Sequence, residues 1–170
     1  MELYTSKLSF NTNELINEIN LYYDTSSVSN DNLKMESFDT DVTKFSRLKY
    51  FNQNVLSIFE DVKFENIYLF FAQPSGGLHW HKDGGSHYRR FIFPMASNES
   101  CINHFKIDDI EHQMRFLDGK VHWFDSQKIE HTVVNNGDTT RVAFLFDVVY
   151  SEDSFEKILK NHFDKTEVFI

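Results

Sequence analysis

Between residues 62 and 150 the chain breaks into seven short runs of β-favouring residues, at 66–73, 87–95, 101–107, 112–117, 120–125, 129–135 and 140–150. Turn chemistry parts most of them: Pro74-Ser75-Gly76-Gly77, Asp83-Gly84-Gly85, Ser97-Asn98, Asp118-Gly119 and Asn136-Gly137-Asp138. Glycine reaches positive φ without a Cβ clash, proline presets φ, and Asn, Asp and Ser side chains bond their own backbone, so such clusters reverse the chain. Short strands at this spacing predict a sandwich or barrel, here a jelly-roll-like core. The flanks read differently. At 11–22, Leu15, Ile16, Ile19 and Leu21 recur at mixed helical spacing, and at 43–59, Phe45, Leu48, Phe51, Val55, Ile58 and Phe59 fall three or four apart. Each set marks one apolar helix face. The stretch 24–32, rich in Ser, Asp and Asn, reads as a surface loop. Ser151-Glu152-Asp153 opens a closing helix whose face is Phe155, Ile158, Leu159 and Phe163. The expectation is one mainly β domain over 1–170, with a helical part at 1–61, the jelly-roll core at 62–150 and a helix at 151–170.

Composition bounds the function. A chain of 170 residues suits one domain with a core of its own, and 18 phenylalanines predict that the core is phenyl-lined. The formal net charge of -9 offers no general attraction to phosphate backbones, so nucleic acid is not an expected partner; Lys82, Arg89 and Arg90 are the candidate for a local basic groove. Cys101 is the one cysteine, which excludes an intrachain disulfide and reads as a small buried strand residue. The first residues lack the basic region and apolar run of a secretory signal, and no stretch is long and apolar enough for a bilayer. A cytoplasmic setting with no membrane partner is expected.

The residues that carry chemistry lie in the β half. His81-Lys82-Asp83 is an H-x-D triplet beside a Gly-Gly turn, and His131 follows fifty residues later at the start of another β-rich run. Two histidines and one carboxylate on one face of Fe(II) make the facial triad of non-haem oxygenases, which leaves positions open for a bidentate cosubstrate and O2. In H-x-D the two side chains are two residues apart, so an extended backbone points both to one side. The triplet also recurs by chance, so its weight comes from its companions. Arg141 lies ten residues after His131 and shares a strand face with Ala143, Leu145 and Asp147. A guanidinium turned into a β core needs an anion, which a bound dicarboxylate supplies bidentately. The alternatives are an outward-facing arginine on an edge strand, or one paired internally with Asp147 or Asp125.

The run from His79 to Val149 resembles the aspartyl/asparaginyl β-hydroxylase group of 2-oxoglutarate oxygenases, which includes free-amino-acid hydroxylases acting on proline. The matching pieces are His81-Lys82-Asp83, Arg89-Arg90-Phe91-Ile92-Phe93-Pro94-Met95, Gly119-Lys120-Val121-His122-Trp123-Phe124-Asp125, His131-Thr132-Val133-Val134-Asn135 and Arg141-Val142-Ala143-Phe144-Leu145-Phe146-Asp147. The resemblance implies a double-stranded β-helix (jelly-roll or cupin-like) with flanking helices. It implies iron at one mouth, held by His81, Asp83 and His131, with Arg141 gripping the far carboxylate of 2-oxoglutarate. Arg90 matches a second arginine near the iron-chelating end of that cosubstrate. Asn135 matches a residue close to the distal histidine and implies a supporting role; Trp123 is set beside it as a residue that walls the pocket or packs in the core. Some members lack a carboxylate at the position of Asp83, whereas this chain keeps it. On the run 68–72 there is no serine partner for the far carboxylate.

The expected activity is that of an Fe(II)- and 2-oxoglutarate-dependent dioxygenase. It would hydroxylate a small amino-acid-like molecule, or an aspartyl, asparaginyl or prolyl residue, and release succinate and CO2. No catalytic group beyond the iron ligands is expected. His79, His87 and His122 read as surface or hydrogen-bonding residues, and Trp80, like Trp123, as a pocket wall or core residue. The stretches 25–32 and 75–77 are candidates to cover the site. Two rivals stand beside this reading. One is a cupin-type metal protein that uses His79 and His81 and no 2-oxoglutarate, although no Glu follows His81 at cupin spacing and the Pro-x-Gly turn before His131 is missing. The other is a metal-free jelly-roll binding protein.

Overall fold

A computed structural model of the chain describes residues 1–22, 33–38, 47–60 and 62–167. The expected loop at 24–32 and the first turn of the helix expected at 43–59 lie outside the described residues. Within them run β1 (Glu2–Ser6), α1 (Thr12–Tyr22), β2 (Leu33–Phe38), a π-helical turn (Phe51–Val55) continued as a 3-10 turn (Leu56–Phe59), β3 (Phe64–Ala72), β4 (Gly76–Gly77), β5 (Tyr88–Ala96), β6 (Cys101–Ile107), β7 (Ile110–Met114), β8 (His122–Phe124), β9 (Glu130–Asn135), β10 (Arg141–Val149), α2 (Glu152–His162) and β11 (Phe163–Glu167). The strands form two antiparallel sheets, a larger one ordered β11-β1-β8-β5-β10-β3-β2 and a smaller one ordered β4-β9-β6-β7. This is a double-stranded β-helix, the mainly β architecture with flanking helices that the short strands foretold. No described helix is long and apolar enough to cross a membrane.

Strand β10 sits in the middle of the larger sheet, between β5 and β3, and is buried on both faces. Alternation splits its side chains. Phe144 and Phe146 face the helices, where Phe144 stacks on Phe51 at 4.3 Å and Phe146 meets Phe59 edge-on at 5.1 Å. Leu15 and Ile19 of α1 and Phe155, Ile158 and Leu159 of α2 complete that core. The phenyl-rich expectation holds here: the helices cover the outer face of the larger sheet with rings in edge and stacked contact. Arg141, Ala143, Leu145 and Asp147 fall on the opposite face, between the sheets.

The differences from the sequence reading are local. The amino-terminal part read as helical also supplies β1 and β2, and the closing helix ends at His162, so that Phe163 is buried at the start of a strand instead of on the helix face. A strand of five or six residues carries too short a pattern to separate from a helix turn. The sixth and seventh strands join through Asp108-Asp109, both at positive φ (51° and 62°), a two-residue hairpin turn without the usual glycine. The following strand therefore starts two residues earlier than 112.

His122 on β8 is buried, stacked on Phe116 at 4.5 Å, with Nδ1 at 3.1 Å from Thr5 Oγ1 and Nε2 at 3.1 Å from the Leu117 N–H. Burial pushes its pKa down to about 4 from the ordinary 6.5. A folded pKa below the unfolded one means that the unfolded chain takes up the proton first, so the associated stability is complete above pH 6.5 and is lost as pH falls toward 4. The loss amounts to about 3 kcal/mol. Thermal unfolding followed from pH 7 to 4 is expected to show a falling midpoint, with a shallower slope in His122→Gln; an unchanged slope would rule the group out as the source.

Candidate metal centre

The H-x-D triplet is held by backbone bonds on both sides. The His81 N–H donates to the His131 carbonyl at 3.0 Å and the His131 N–H donates back to that of His81 at 2.9 Å, an antiparallel bridge that brings the two rings to 4.4 Å between centroids. Two residues on, the Asp83 N–H donates to the Ser126 carbonyl at 3.0 Å. The segment is thereby extended along β9, and its alternate side chains point to one side. Gly85 then turns the chain away at φ +83°, where a Cβ would lie 2.2 Å from the Tyr88 ring. One donor atom from each of His81, Asp83 and His131 falls within 4.8 Å of the others.

The donor chemistry fits a divalent metal. His81 Nδ1 is 2.7 Å from the His79 carbonyl and His131 Nδ1 is 3.0 Å from that of Ile129. A carbonyl only accepts, so in both rings Nδ1 carries the proton and Nε2 keeps a bare lone pair. Such outer hydrogen bonds orient metal-binding imidazoles. Burial pushes His131 below its ordinary pKa, toward the neutral form that ligates. Asp83 Oδ1 accepts from Arg90 Nη1 at 2.8 Å, while Oδ2 is buried with no hydrogen-bond partner. An orphaned carboxylate oxygen is costly, and a cation opposite it removes the cost.

A cavity of about 240 Å³ opens between the sheets at these residues. The larger sheet contributes Phe70, Ile92, Phe124, Arg141 and Leu145, and the smaller one Asn103, Phe105, His131 and Val133. Arg141 is almost wholly buried, its Nε has no hydrogen-bond partner, and Nη1 reaches only Asn103 Oδ1, at 3.4 Å. Among the described residues no carboxylate pairs with it: Asp147 is taken by Arg90 and Asp125 by Lys128 at 2.8 Å. Burial without a counter-ion holds the guanidinium below its usual pKa. Arg141 is therefore neither on an edge strand nor internally paired. It is a buried cation facing a cavity, an arrangement that attracts an anion.

The other expected site residues differ in where they fall. Arg90 lines the cavity, but its Nε and Nη2 bind both oxygens of Asp147 at 2.7 and 2.9 Å and its Nη1 binds Asp83. Trp123 is not a cavity wall: strand alternation turns it to the outer face of β8, against Tyr4 at 5.4 Å and Phe155 at 4.9 Å. Trp80 packs beside His104 and under the Lys106 ammonium, 4.3 Å from its ring. His79 is exposed, and His87 lies 3.4 Å from Glu65. Residues 75–77 do not cover the site; Gly76–Gly77 is the edge of the smaller sheet, where a Cβ on Gly77 would meet the Val133 carbonyl at 2.4 Å. Asn135 has no hydrogen bond to the triplet. Its Nδ2 donates to the carbonyls of Ala72 and Thr139, both at 2.8 Å, and its Oδ1 accepts from Asn98 at 2.9 Å. It ties the far end of β9 to β3. Asn135→Ala should therefore cost about 2–3 kcal/mol in urea unfolding by orphaning buried partners, with metal titration unchanged. Asn103 carries no signal in the sequence, because an asparagine inside a strand has no spacing signature.

A family model described as aspartyl/asparaginyl β-hydroxylase matches residues 23–150. No curated protein matches the sequence. Among solved structures, a viral collagen prolyl hydroxylase from Paramecium bursaria Chlorella virus-1, solved as its 2OG complex, is 11% identical with a TM-score of 0.57, over 88% of this chain and 96% of that one. A Pseudomonas putida prolyl-4-hydroxylase is 12% identical with a TM-score of 0.55, over 88% and 92%. A Trichoplax adhaerens prolyl hydroxylase, in complex with a hypoxia inducible factor peptide fragment, is 14% identical with a TM-score of 0.57, over 86% and 80%. At these identities the likeness speaks for the fold.

Proposed function

The chain belongs to the aspartyl/asparaginyl β-hydroxylase family, and on that premise we propose that it is an Fe(II)- and 2-oxoglutarate-dependent hydroxylase using His81, Asp83 and His131 for iron and Arg141 for the far carboxylate of the cosubstrate. The observation that carries the reading is the buried, unpaired guanidinium of Arg141 in the same cavity as three convergent donor atoms. A dicarboxylate that chelates metal at one end and meets a cation at the other satisfies both. At about 240 Å³ the cavity suits a small cosubstrate, since pockets for larger ligands run to roughly 300–1,000 Å³. The substrate is then met at the mouth, beside His81, which is the most exposed of the three proposed ligands.

When bound, iron with 2-oxoglutarate and O2 supplies the oxidising power that turns a substrate C–H into C–OH, with succinate and CO2 released. The chain's own residues hold and shield. His81 and His131 present lone pairs in a set tautomer, and Asp83 presents the one negative charge. Phe70, Phe105 and Leu145 keep water from the cosubstrate's carbon chain. The substrate proposed is a free amino acid or similar small molecule ahead of an aspartyl, asparaginyl or prolyl residue in a peptide, and nucleic acid is not proposed on a chain of net charge -9.

The test is an anaerobic titration. Fe(II) and then 2-oxoglutarate are added to metal-free protein, and the visible absorption of the keto acid chelated to iron is followed. A band that needs both additions supports the reading and justifies a screen of free amino acids by succinate release. Iron binding without the band would favour the cupin-type alternative, and no iron binding would sink the metal site.

A further inference from the structure

Asp147 lies on β10, wholly buried, and faces the same inter-sheet side as Arg141. It stands directly opposite Arg90 in the β10–β5 register, so the pair is built into the larger sheet. Arg90 Nε donates to Asp147 Oδ1 at 2.7 Å and Nη2 to Oδ2 at 2.9 Å, a two-point grip that leaves the guanidinium plane no freedom to rotate. The Tyr68 and Tyr88 rings flank it at 5.5 and 5.7 Å. From this held position Nη1 reaches Asp83 Oδ1 at 2.8 Å, while Asp83 Oδ2 has no partner. The resemblance implied that Arg90 serves the cosubstrate. Its hydrogen bonds within the chain go to the carboxylates of Asp83 and Asp147.

We propose that Asp147 is a positioning residue for the metal centre: acting through Arg90, it fixes the Asp83 carboxylate beside the His81 ring, whose Nε2 lies 3.8 Å from Asp83 Oδ1. This rests on His81, Asp83 and His131 being the ligands. The charges agree with it. Asp83, Arg90 and Asp147 together carry one net negative charge beside the cation. Without Asp147, Asp83 becomes the sole counter-ion of Arg90 and is drawn toward it, away from the metal. Removing groups that orient a ligand from outside weakens metal binding by about 10–100-fold.

The experiment is a Mn(II) titration of metal-free wild type, Asp147→Asn, Arg90→Gln and the double variant, with unfolding of each metal-free protein measured in parallel. Asp147→Asn is expected to weaken Mn(II) at least about tenfold. In the Arg90→Gln background the same change is expected to do almost nothing, because the intermediary is gone. A plain electrostatic effect of Asp147 on the cation would persist in that background, and a loss confined to folding would lower the unfolding midpoint without changing the affinity of the folded fraction. Either result, or a wild-type affinity for Asp147→Asn, would overturn the inference alone. Failure of the wild type to bind Mn(II) would overturn the metal-site reading as well. Should Arg90→Gln not fold, a crystal structure of the wild type with Mn(II) and 2-oxoglutarate decides. One Asp83 oxygen on the metal and the other on Arg90, with Asp147 still gripping Arg90, supports the proposal; Arg90 turned onto the keto acid, or both Asp83 oxygens on the metal, defeats it.

Discussion

Asp83→Ala is expected to abolish Fe(II) binding while leaving the protein folded. The carboxylate is the one anionic donor of the proposed triplet, and even residues that only orient a ligand are worth about 10–100-fold in metal affinity. Loss of the ligand itself should exceed that range. The folded state should tolerate the change because Arg90, the only hydrogen-bond partner of the Asp83 side chain among the described residues, keeps its two bonds to Asp147. Breaking a buried ion pair is severe when it strands a charge; here no charge is stranded, and an orphaned oxygen is removed. Isothermal titration of metal-free protein with Fe(II) under anaerobic conditions, beside its thermal midpoint, checks both halves. Iron retained in Asp83→Ala would shift the metal to histidines alone, including His79, which is exposed and contributes only its backbone carbonyl to the site.

Arg141→Met is expected to do two opposite things. Affinity for 2-oxoglutarate should fall by about 2–5 kcal/mol, the usual cost of truncating one partner of a buried charge pair. That corresponds to roughly 30-fold to several-thousand-fold. The metal-free, cosubstrate-free protein should meanwhile become more stable, by about 1 kcal/mol or more, because a desolvated guanidinium with an unsatisfied Nε gives way to an apolar chain of similar reach. A group that destabilises the empty protein and is needed only with ligand is a functional group by that contrast. The visible band on keto acid addition reads the first effect and thermal unfolding the second. Unchanged affinity for the keto acid would remove Arg141 from the site, and a large loss of stability would make it structural.

Much of the β core was legible because turn residues and period-two alternation are local signals. The strand beginning at Cys101 matches its expected bounds at both ends, with the Ser97-Asn98 turn signal before it. β1, β2 and β11 were not, because a strand this short is made by its neighbours: β1 exists through its ladders to β8 and β11, and no residue among Glu2–Ser6 announces them. Trp123 shows the same limit at a single residue. It sits between His122 and Phe124, whose side chains turn inward, and only the direction in which the sheet faces its helices put the indole in the core.

What the sequence by itself determined was the candidate triplet and the candidate arginine. His81 and Asp83 lie in one extended segment, where two-residue spacing alone puts both on one side, and Arg141 shares its strand face with Ala143, Leu145 and Asp147, which made a core-facing guanidinium one of the readings open to it. What only the tertiary structure decided was which acid each arginine meets. Asp147 could have served Arg141, six residues away on the same face of one strand; it serves Arg90, 57 residues away, because strand register sets them opposite each other. Register is a property of two strands at once, settled by how the sheets bury their faces, and no local pattern in either strand records it.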